Sequence, residues 1–214
     1  MFGIFAVYKP AGPTSNDVVM RLKKAFGEKK VGHAGTLDPL AEGVLVVGVG
    51  REATKKLGEV SKLGKEYEAV IKLGEESETD DEQGEKTKIE VEKIPEEHEI
   101  KEVLKSFEGN IKQKPPLYSA VKVNGKEAYK RVRKGEEFQL KPREALVEKI
   151  ESTGYDWPEL KIRTVTGSGV YIRSLARDIG RALKTGGYLK KLKRIRVGEF
   201  GEEECYSLDE LLNC

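Results

Sequence analysis

The chain has 214 residues, and its 39 Lys and Arg nearly balance its 37 Asp and Glu, for a formal net charge of +2. A chain of this length forms one large domain or two small ones. Its two cysteines and two histidines are too few for a disulfide framework or for a zinc site built from His and Cys-x-x-Cys. No apolar run approaches the roughly 20 residues of a membrane span, so we expect a cytoplasmic protein with no metal and no membrane partner.

The charge is unevenly distributed along the chain. Residues 75–102 hold thirteen acidic side chains against four basic ones, and we interpret 75–99 as an acidic surface excursion. Residues 112–134 and 173–196 hold eight and nine Lys and Arg, each with one acid. Two basic segments in a near-neutral protein indicate a local site for a polyanion such as nucleic acid. Solvent-exposed helix faces produce similar runs, and the residues alone leave both interpretations open.

Strand and helix patterns alternate irregularly along the chain. The first half predicts a strand at 2–8, a helix capped by Ser15 and ended by Gly27, and a buried β-branched strand at 43–49. Further on, the pattern predicts half-buried strands at 67–73 and 160–166, a helix around 100–107, and a last helix with a capping box of Ser207 and Glu210. We therefore predict an α+β protein with a mixed, largely antiparallel central sheet flanked by helices.

One further helix, after residues 167–169, divides into two faces, and we expect Ser168 to cap it. Its core face is predicted to contain Ile172, Leu175, Ala176, Ile179 and Leu183. Its opposite stripe contains Arg173, Arg177, Arg181 and Lys184, of which we interpret the last three as solvent-exposed. Arg173 differs because the helix dipole disfavours a cation in the first turn, so we expect another group to hold it.

The segment VGHAGTLDPLAEGVLVVGVG, residues 31–50, contains the leading candidate for chemistry. Asp38 lies between Leu37 and Pro39 in a glycine-rich loop, with His33 nearby. A carboxylate displayed there is suited to act as a nucleophile or an acid. Asp before Pro is also an ordinary helix start, with Asp38 as the N-cap and Pro39 at the first helical position. The spacing alone leaves both interpretations open.

The string GHAGTLDPLAEGVL resembles the catalytic motif of the TruB-type pseudouridine synthases, which isomerise a uridine in the TΨC arm of tRNA. Five other segments match family motifs, in family order: YKPAGPTSNDVV (8–19), GKEYEAVIKLG (64–74), PPLYSAVKVNGKEAYKRVRKGE (115–136), SGVYIRSLARDIG (168–180) and LKRIRVGEF (192–200). The resemblance covers nearly the whole chain. It implies the pseudouridine synthase catalytic fold, isomerisation of tRNA uridine 55, and a reaction that needs no cofactor.

The resemblance also implies roles for individual residues. Asp38 matches the catalytic aspartate, which either attacks the sugar or base as a nucleophile or removes a sugar proton. Arg173 matches the arginine that pairs with this aspartate and compensates its charge. Lys9, together with Pro10, matches the residues that brace the catalytic loop.

Four more residues match positions around the target base. An enzyme that acts on a stacked base must first extrude it, and an aromatic ring then stacks on the flipped base. Tyr67 matches that stacking tyrosine, and Tyr171 matches a residue that hydrogen-bonds near the base. Leu192 matches the apolar floor of the pocket, and His33 matches a histidine that fills the space the base leaves.

Residues 112–142 match a mobile flap that closes on RNA. We expect a brief hairpin at 118–123 that turns at Asn124-Gly125, followed by a basic stretch. The side chains that we expect to contact the RNA backbone are Lys126, Lys130, Arg131 and Arg133. We interpret residues 1–214 as a single, monomeric catalytic domain carrying this flap, without the C-terminal PUA-type domain usual in the family.

Two other functions compete with this prediction. A guide-RNA-dependent relative shares GHxGTLDP, although the flap and the compact N-terminus favour the stand-alone type. A non-catalytic RNA-binding or tRNA-folding protein is the other alternative, and the joint presence of Asp38, Tyr67 and Arg173 argues against it. Bare tRNA as the substrate separates all three.

Overall fold

A computed structural model describes residues 2–119, 121–123 and 125–212, so Asn124 of the predicted hairpin turn lies outside the described residues. The chain divides into two compact units. The first contains residues up to 68, residues 165–168 and the chain from 191 onward. The second contains residues 69–164 and 169–190. Within the described ranges, no helix is both long and apolar enough to cross a membrane.

The strands in the described residues are β1 (Gly3–Lys9), β2 (Val31–His33), β3 (Glu42–Val49), β4 (Lys65–Leu73), β5 (Glu75–Ser77), β6 (Lys86–Lys88), β7 (Gly109–Gln113), β8 (Lys122–Val123), β9 (Lys126–Glu127), β10 (Arg143–Asp156), β11 (Glu159–Thr166), β12 (Gly187–Val197) and β13 (Phe200–Gly201). The helices are α1 (Ser15–Phe26), α2 (Arg51–Val60), α3 (Glu97–Ser106), α4 (Ala128–Val132), α5 (Ile172–Ala182) and α6 (Leu208–Leu212), with a 3-10 turn at Glu202–Glu204.

In the first unit the strand order is β1-β3-β12-β4. Strand β3 runs antiparallel to β1 and β2 and parallel to β12, with Gly43 opposite Arg194. Seven of its residues are buried, as expected for a β-branched central strand covered on both faces. The predicted strand at 43–49 and the predicted α+β class with a mixed sheet are therefore confirmed.

The N-terminal cap of α1 differs from the prediction. Thr14, not Ser15, is the N-cap: its Oγ1 accepts from the Asp17 N–H at 3.1 Å, and the Asp17 carboxylate accepts from the Thr14 N–H at 2.8 Å. An acid three residues after the cap completes this reciprocal box, and Thr14 has one whereas Ser15 is followed by Val18. Helix α1 ends, as predicted, at Gly27, which has φ +61°.

In the second unit the strand order is β4-β11-β10-β7. Helix α5 begins at Ile172 after Tyr171, which makes no side-chain cap, so the predicted cap at Ser168 is wrong. The predicted core face is confirmed for Ile172, Leu175, Ala176 and Ile179, which are buried, but Leu183 is the C-cap of the helix and is only half-buried. The capping box of Ser207 and Glu210 is confirmed in α6, in the first unit.

Candidate active site and nucleic-acid interface

Asp38 lies in the loop between β2 and β3 of the first unit. It precedes a turn at Pro39 and Leu40, which closes with a 3.0 Å hydrogen bond from the Ala41 N–H to the Asp38 carbonyl. No helix begins there, so the interpretation of Asp38 as an N-cap is wrong. Proline instead occupies the second position of a turn, where its fixed φ is favourable. The Asp38 side chain is half-buried.

Lys9, at the end of β1, is fully buried near this carboxylate. Its Nζ donates to the carbonyl oxygens of Pro10 and Pro13, both at 2.8 Å. Burial lowers the pKa of Lys9 to about 8, and the negative charge of Asp38 opposes that shift. The Lys9 ammonium group therefore interacts electrostatically with Asp38, and a nearby positive charge favours the ionised form of a carboxylate.

Tyr67 and Arg194 lie in the same unit as Asp38 and interact with each other. Tyr67 is buried in β4, and burial raises its pKa, while the charge of Arg194 and a hydrogen bond with it act in the opposite direction. Asp38 raises the pKa of Tyr67 further, which means that the phenol and the carboxylate are close enough to interact. The Asp38 carboxylate therefore lies near an aromatic ring whose hydroxyl stays protonated at neutral pH.

Sequence reasoning did not single out Arg194. Only 1% of this residue is exposed, and its guanidinium donates to the carbonyls of Val44 at 2.8 Å and Gly35 at 3.1 Å. The signal that could have found it is the period-two spacing from Leu192, since alternate residues of a strand share a face. Leu192, the predicted pocket floor, is buried as well.

His33 lies at the end of β2, and its Nδ1 is buried with no hydrogen-bond partner. Burial lowers its pKa, the charge of Arg194 lowers it further, and a backbone hydrogen bond with Gly35 opposes both. The imidazole is therefore uncharged at neutral pH, which suits a packing role better than proton transfer.

Among the described residues, no group of three or more His, Cys, Asp and Glu is arranged to hold a metal ion.

Arg173 lies in the first turn of α5, in the second unit, and it is buried. Its guanidinium donates to the carbonyls of Tyr118 at 2.8 Å and Thr79 at 3.2 Å, and Nη1 lies 3.6 Å from Oδ2 of Asp81. The expectation that another group holds this arginine is confirmed. Its pairing with Asp38 stays a prediction.

Two predictions about charged residues of the second unit are wrong. Arg177 is buried rather than solvent-exposed, and its Nη1 lies 2.7 Å from Oδ2 of Asp80. Asp80 and Asp81 are also buried, so this part of the acidic segment is not a surface excursion. Burial raises the pKa of Asp80, and Arg177 and Arg173 oppose that rise. The acids here neutralise arginines of α5 in the interior.

Tyr171, the N-cap residue of α5, is held through its backbone. Gln113 Oε1 accepts from the Tyr171 N–H at 2.8 Å, and Gln113 Nε2 donates to the Tyr171 carbonyl at 3.1 Å. The half-buried Tyr171 side chain packs on a small apolar cluster of Val121, Ala128 and Leu140. Two hydrogen bonds therefore fix the backbone of Tyr171, the residue predicted to contact the base, and its side chain packs on residues of the predicted flap.

The described part of the flap has a hairpin of β8 and β9 followed by α4, and Gly125 in the turn has φ +81°. Its basic side chains surround a cavity of about 410 Å³. We call four of them the flap cations: Lys126, Lys130, Arg131 and Arg133. Arg131 pairs with Glu136 at 2.8 Å, and Lys130 pairs with Glu127 at 3.0 Å. The predicted cations thus share one surface.

Comparison with known proteins places this arrangement in context. A family model described as TruB family pseudouridylate synthase, N-terminal domain, matches residues 23–172, and one described as tRNA pseudouridylate synthase B C-terminal domain matches residues 173–214. The chain is 46% identical to tRNA pseudouridine synthase B of Thermobifida fusca, over 98% of this chain and 74% of that protein. It is 44% identical to the protein of that name from Parabacteroides distasonis, over 95% of this chain and 88% of that protein.

Among solved structures, the chain is similar to one described as a Cbf5-Nop10-Gar1 complex, with a TM-score of 0.77 and 35% sequence identity. A second, described as the archaeal box H/ACA sRNP Nop10-Cbf5 complex, has a TM-score of 0.73 and 31% identity. The match covers 99% of this chain in both, but only 54% and 53% of the chains in those structures. The chain therefore spans about half the length of these structural relatives.

Proposed function

Because the chain belongs to the TruB family of pseudouridylate synthases, we propose that it isomerises one uridine of tRNA, position 55 in the TΨC arm, to pseudouridine. The reaction breaks the N-glycosidic bond, turns the uracil and joins it to the sugar through carbon five. Relatives named tRNA pseudouridine synthase B support tRNA as the substrate. The position within tRNA rests on the motif resemblance. We propose no cofactor for this isomerisation.

The observation that carries the proposal is the setting of Asp38. The carboxylate lies in a turn held between two strands, near the ammonium group of Lys9 and the buried phenol of Tyr67. Both chemistries available to it, attack on the sugar or base and removal of a sugar proton, need the ionised form. A neighbouring buried cation favours that form.

The other predicted residues complete the proposed site. Tyr67 stacks on the flipped uracil, and Leu192 supplies the apolar surface beneath it. His33, which is uncharged at neutral pH, fills the space that the flipped base leaves in the RNA stack. Tyr171 hydrogen-bonds near the base, and Arg173 compensates Asp38 once the substrate excludes water.

The flap cations are proposed to contact the RNA backbone. They lie on one surface around a cavity that is wide enough to admit a charged group. Two of them are already paired with glutamates, so binding a phosphate requires exchanging those partners. Contacts of this kind position the RNA and supply affinity, but they do not perform the chemistry. We propose that the enzyme acts as a cytoplasmic monomer.

A second candidate follows from the similarity to a structure described as a Cbf5-Nop10-Gar1 complex and to one described as an H/ACA RNP bound to a substrate RNA. A guide-RNA-dependent enzyme of that kind would leave bare tRNA unmodified. The higher identity to proteins named tRNA pseudouridine synthase B favours the stand-alone activity.

The test uses purified protein and a bare tRNA transcript labelled with tritium at carbon five of uridine. Isomerisation replaces the hydrogen at that carbon, so tritium is released to water. We expect release of one equivalent from the parent, none from Asp38→Asn, and parental release from Asp156→Asn, which changes an exposed carboxylate at the end of β10. Binding of the Asp38→Asn protein to tRNA should stay within a few-fold of the parent. A stably folded Asp38→Asn protein with near-parental release would remove Asp38 from the mechanism, and an inactive parent that binds tRNA would favour the guide-dependent or non-catalytic alternatives.

A further inference from the structure

Hydrogen bonds from the N-terminal segment reach the two residues that flank Asp38. The Ser15 Oγ donates to the Leu37 carbonyl at 2.9 Å and accepts from the Leu37 N–H at 2.8 Å. On the other side, the Gly12 N–H donates to the Pro39 carbonyl at 2.8 Å. Ser15 therefore holds the chain immediately before the carboxylate, and Gly12 holds it immediately after.

The Ser15 hydroxyl is not needed to start the helix in which it lies. The N-cap of α1 is Thr14, whose own box with Asp17 is complete. Ser15 is buried, as is Leu37, and both of its hydrogen bonds cross 22 positions of sequence to reach that residue. A single hydroxyl that satisfies both the donor and the acceptor of one buried peptide position restrains that backbone strongly, because leaving either group unpaired is costly.

The segment that makes these bonds is itself anchored. Lys9 ties the carbonyls of Pro10 and Pro13 together, which fixes the turn that presents Gly12. Helix α1 carries Ser15 and buries Val18 and Leu22 in the core of the first unit. The Asp38 turn is thus bonded on one side to the first residue of α1 and on the other to a short loop whose ends are tied by Lys9.

We propose that Ser15 is a positioning residue for Asp38, and that its hydroxyl sets the place of the carboxylate through the Leu37 backbone. This inference rests on the proposed function, since it assigns a role in the reaction of Asp38. A carboxylate that attacks a sugar or removes one of its protons must lie within near-contact distance of the reacting atom. A displacement of about 1 Å at such a group costs on the order of a hundredfold in rate.

The test compares Ser15→Ala with Thr14→Ala, its matched control. Both variants remove one hydroxyl at the start of α1, and both lower stability, but Thr14 does not bond to the Asp38 turn. We expect Ser15→Ala to reduce the single-turnover rate by about ten- to a hundredfold, with tRNA affinity within threefold of the parent. Thr14→Ala should keep the parental rate at temperatures where it is folded.

A second readout follows the Leu37 amide directly. Its hydrogen exchange, measured by NMR, should accelerate in Ser15→Ala and stay protected in Thr14→Ala. If Ser15→Ala does not fold, Ser15→Cys keeps the site filled with a weaker donor and acceptor, and it should lose rate and protection in the same direction. Parental rate and protection in a folded Ser15 variant would overturn the proposal while leaving the enzyme active, whereas an inactive parent would instead contradict the proposed function.

Discussion

Replacing Gly43 by alanine tests the closest backbone approach near the candidate site. Gly43 lies opposite Arg194 in the parallel pairing of β3 with β12, and its φ is +103°. A β-carbon at this position would lie 2.2 Å from the Arg194 carbonyl oxygen. Neither atom belongs to a flexible side chain, so one strand must move. Such a movement would also disturb the Arg194 guanidinium, which bonds to the next residue, Val44.

The expected cost has two parts. Holding alanine at φ +103° costs about 1–3 kcal/mol, because L residues rarely adopt this conformation. Relieving the contact with the neighbouring strand adds about 1–3 kcal/mol, as for other insertions into packed cores. We therefore expect the free energy of unfolding to fall by about 2–6 kcal/mol. For a chain of this size each kcal/mol lowers Tm by about 2–4 °C.

The measurement is thermal and urea unfolding followed by circular dichroism, together with the single-turnover rate. Gly58→Ala is the matched control, because Gly58 is exposed in α2 and, apart from its chain neighbours and the nearby backbone of its own helix, nothing lies within 4 Å of its β-carbon position. It should gain about 0.5–1 kcal/mol from the better helix propensity of alanine. A Gly43→Ala protein whose stability lies within about 0.5 kcal/mol of the parent would refute the reasoning.

Three other outcomes are expected. Neutralising the flap cations should weaken tRNA binding and reduce the magnitude of the slope of log K against log salt by roughly 0.7–0.9 per lost phosphate contact. An unchanged slope in a salt titration would show that the flap cations do not contact RNA. The pKa of Lys9 is about 8 in the fold and higher in the unfolded chain. The free energy of unfolding of the parent, relative to that of Lys9→Met, should therefore rise as pH increases from about 8 to 10.5, and this difference should be flat below pH 8. This is measured by urea unfolding across that range, and a difference that falls with pH would contradict the assignment. Asp80→Asn should lower the free energy of unfolding by about 3 kcal/mol, because it leaves buried Arg177 without its main partner. Glu76→Gln, which breaks an exposed pair with Arg181, should lower it by less than about 1 kcal/mol. Equal losses in urea unfolding would show that burial does not matter at the Asp80–Arg177 pair.

Features set by neighbouring residues could be predicted from the sequence. The β-branched run of β3 indicated a buried strand, and the spacing of Ile172, Leu175 and Ile179 indicated the buried face of α5. Each depends on side chains a few positions apart, whose arrangement follows from the helix or strand period. The same holds for the motif that drew attention to Asp38. The choice between Thr14 and Ser15 as the cap of α1 was also available locally, from the acid at position 17.

The environments of the charged and polar residues were decided only by the tertiary structure. Arg177 and Arg181 occupy the same stripe of one helix, yet one is buried against Asp80, 97 positions away, and the other is exposed. Arg194 finds its acceptor 150 positions away, and Ser15 finds Leu37 rather than its own helix end. A local pattern reports how apolar a face is, but a buried charge or hydroxyl is tolerated only where a distant partner satisfies it. Which partner arrives is a property of chain topology, and that is why the support of Asp38 became visible only in the folded protein.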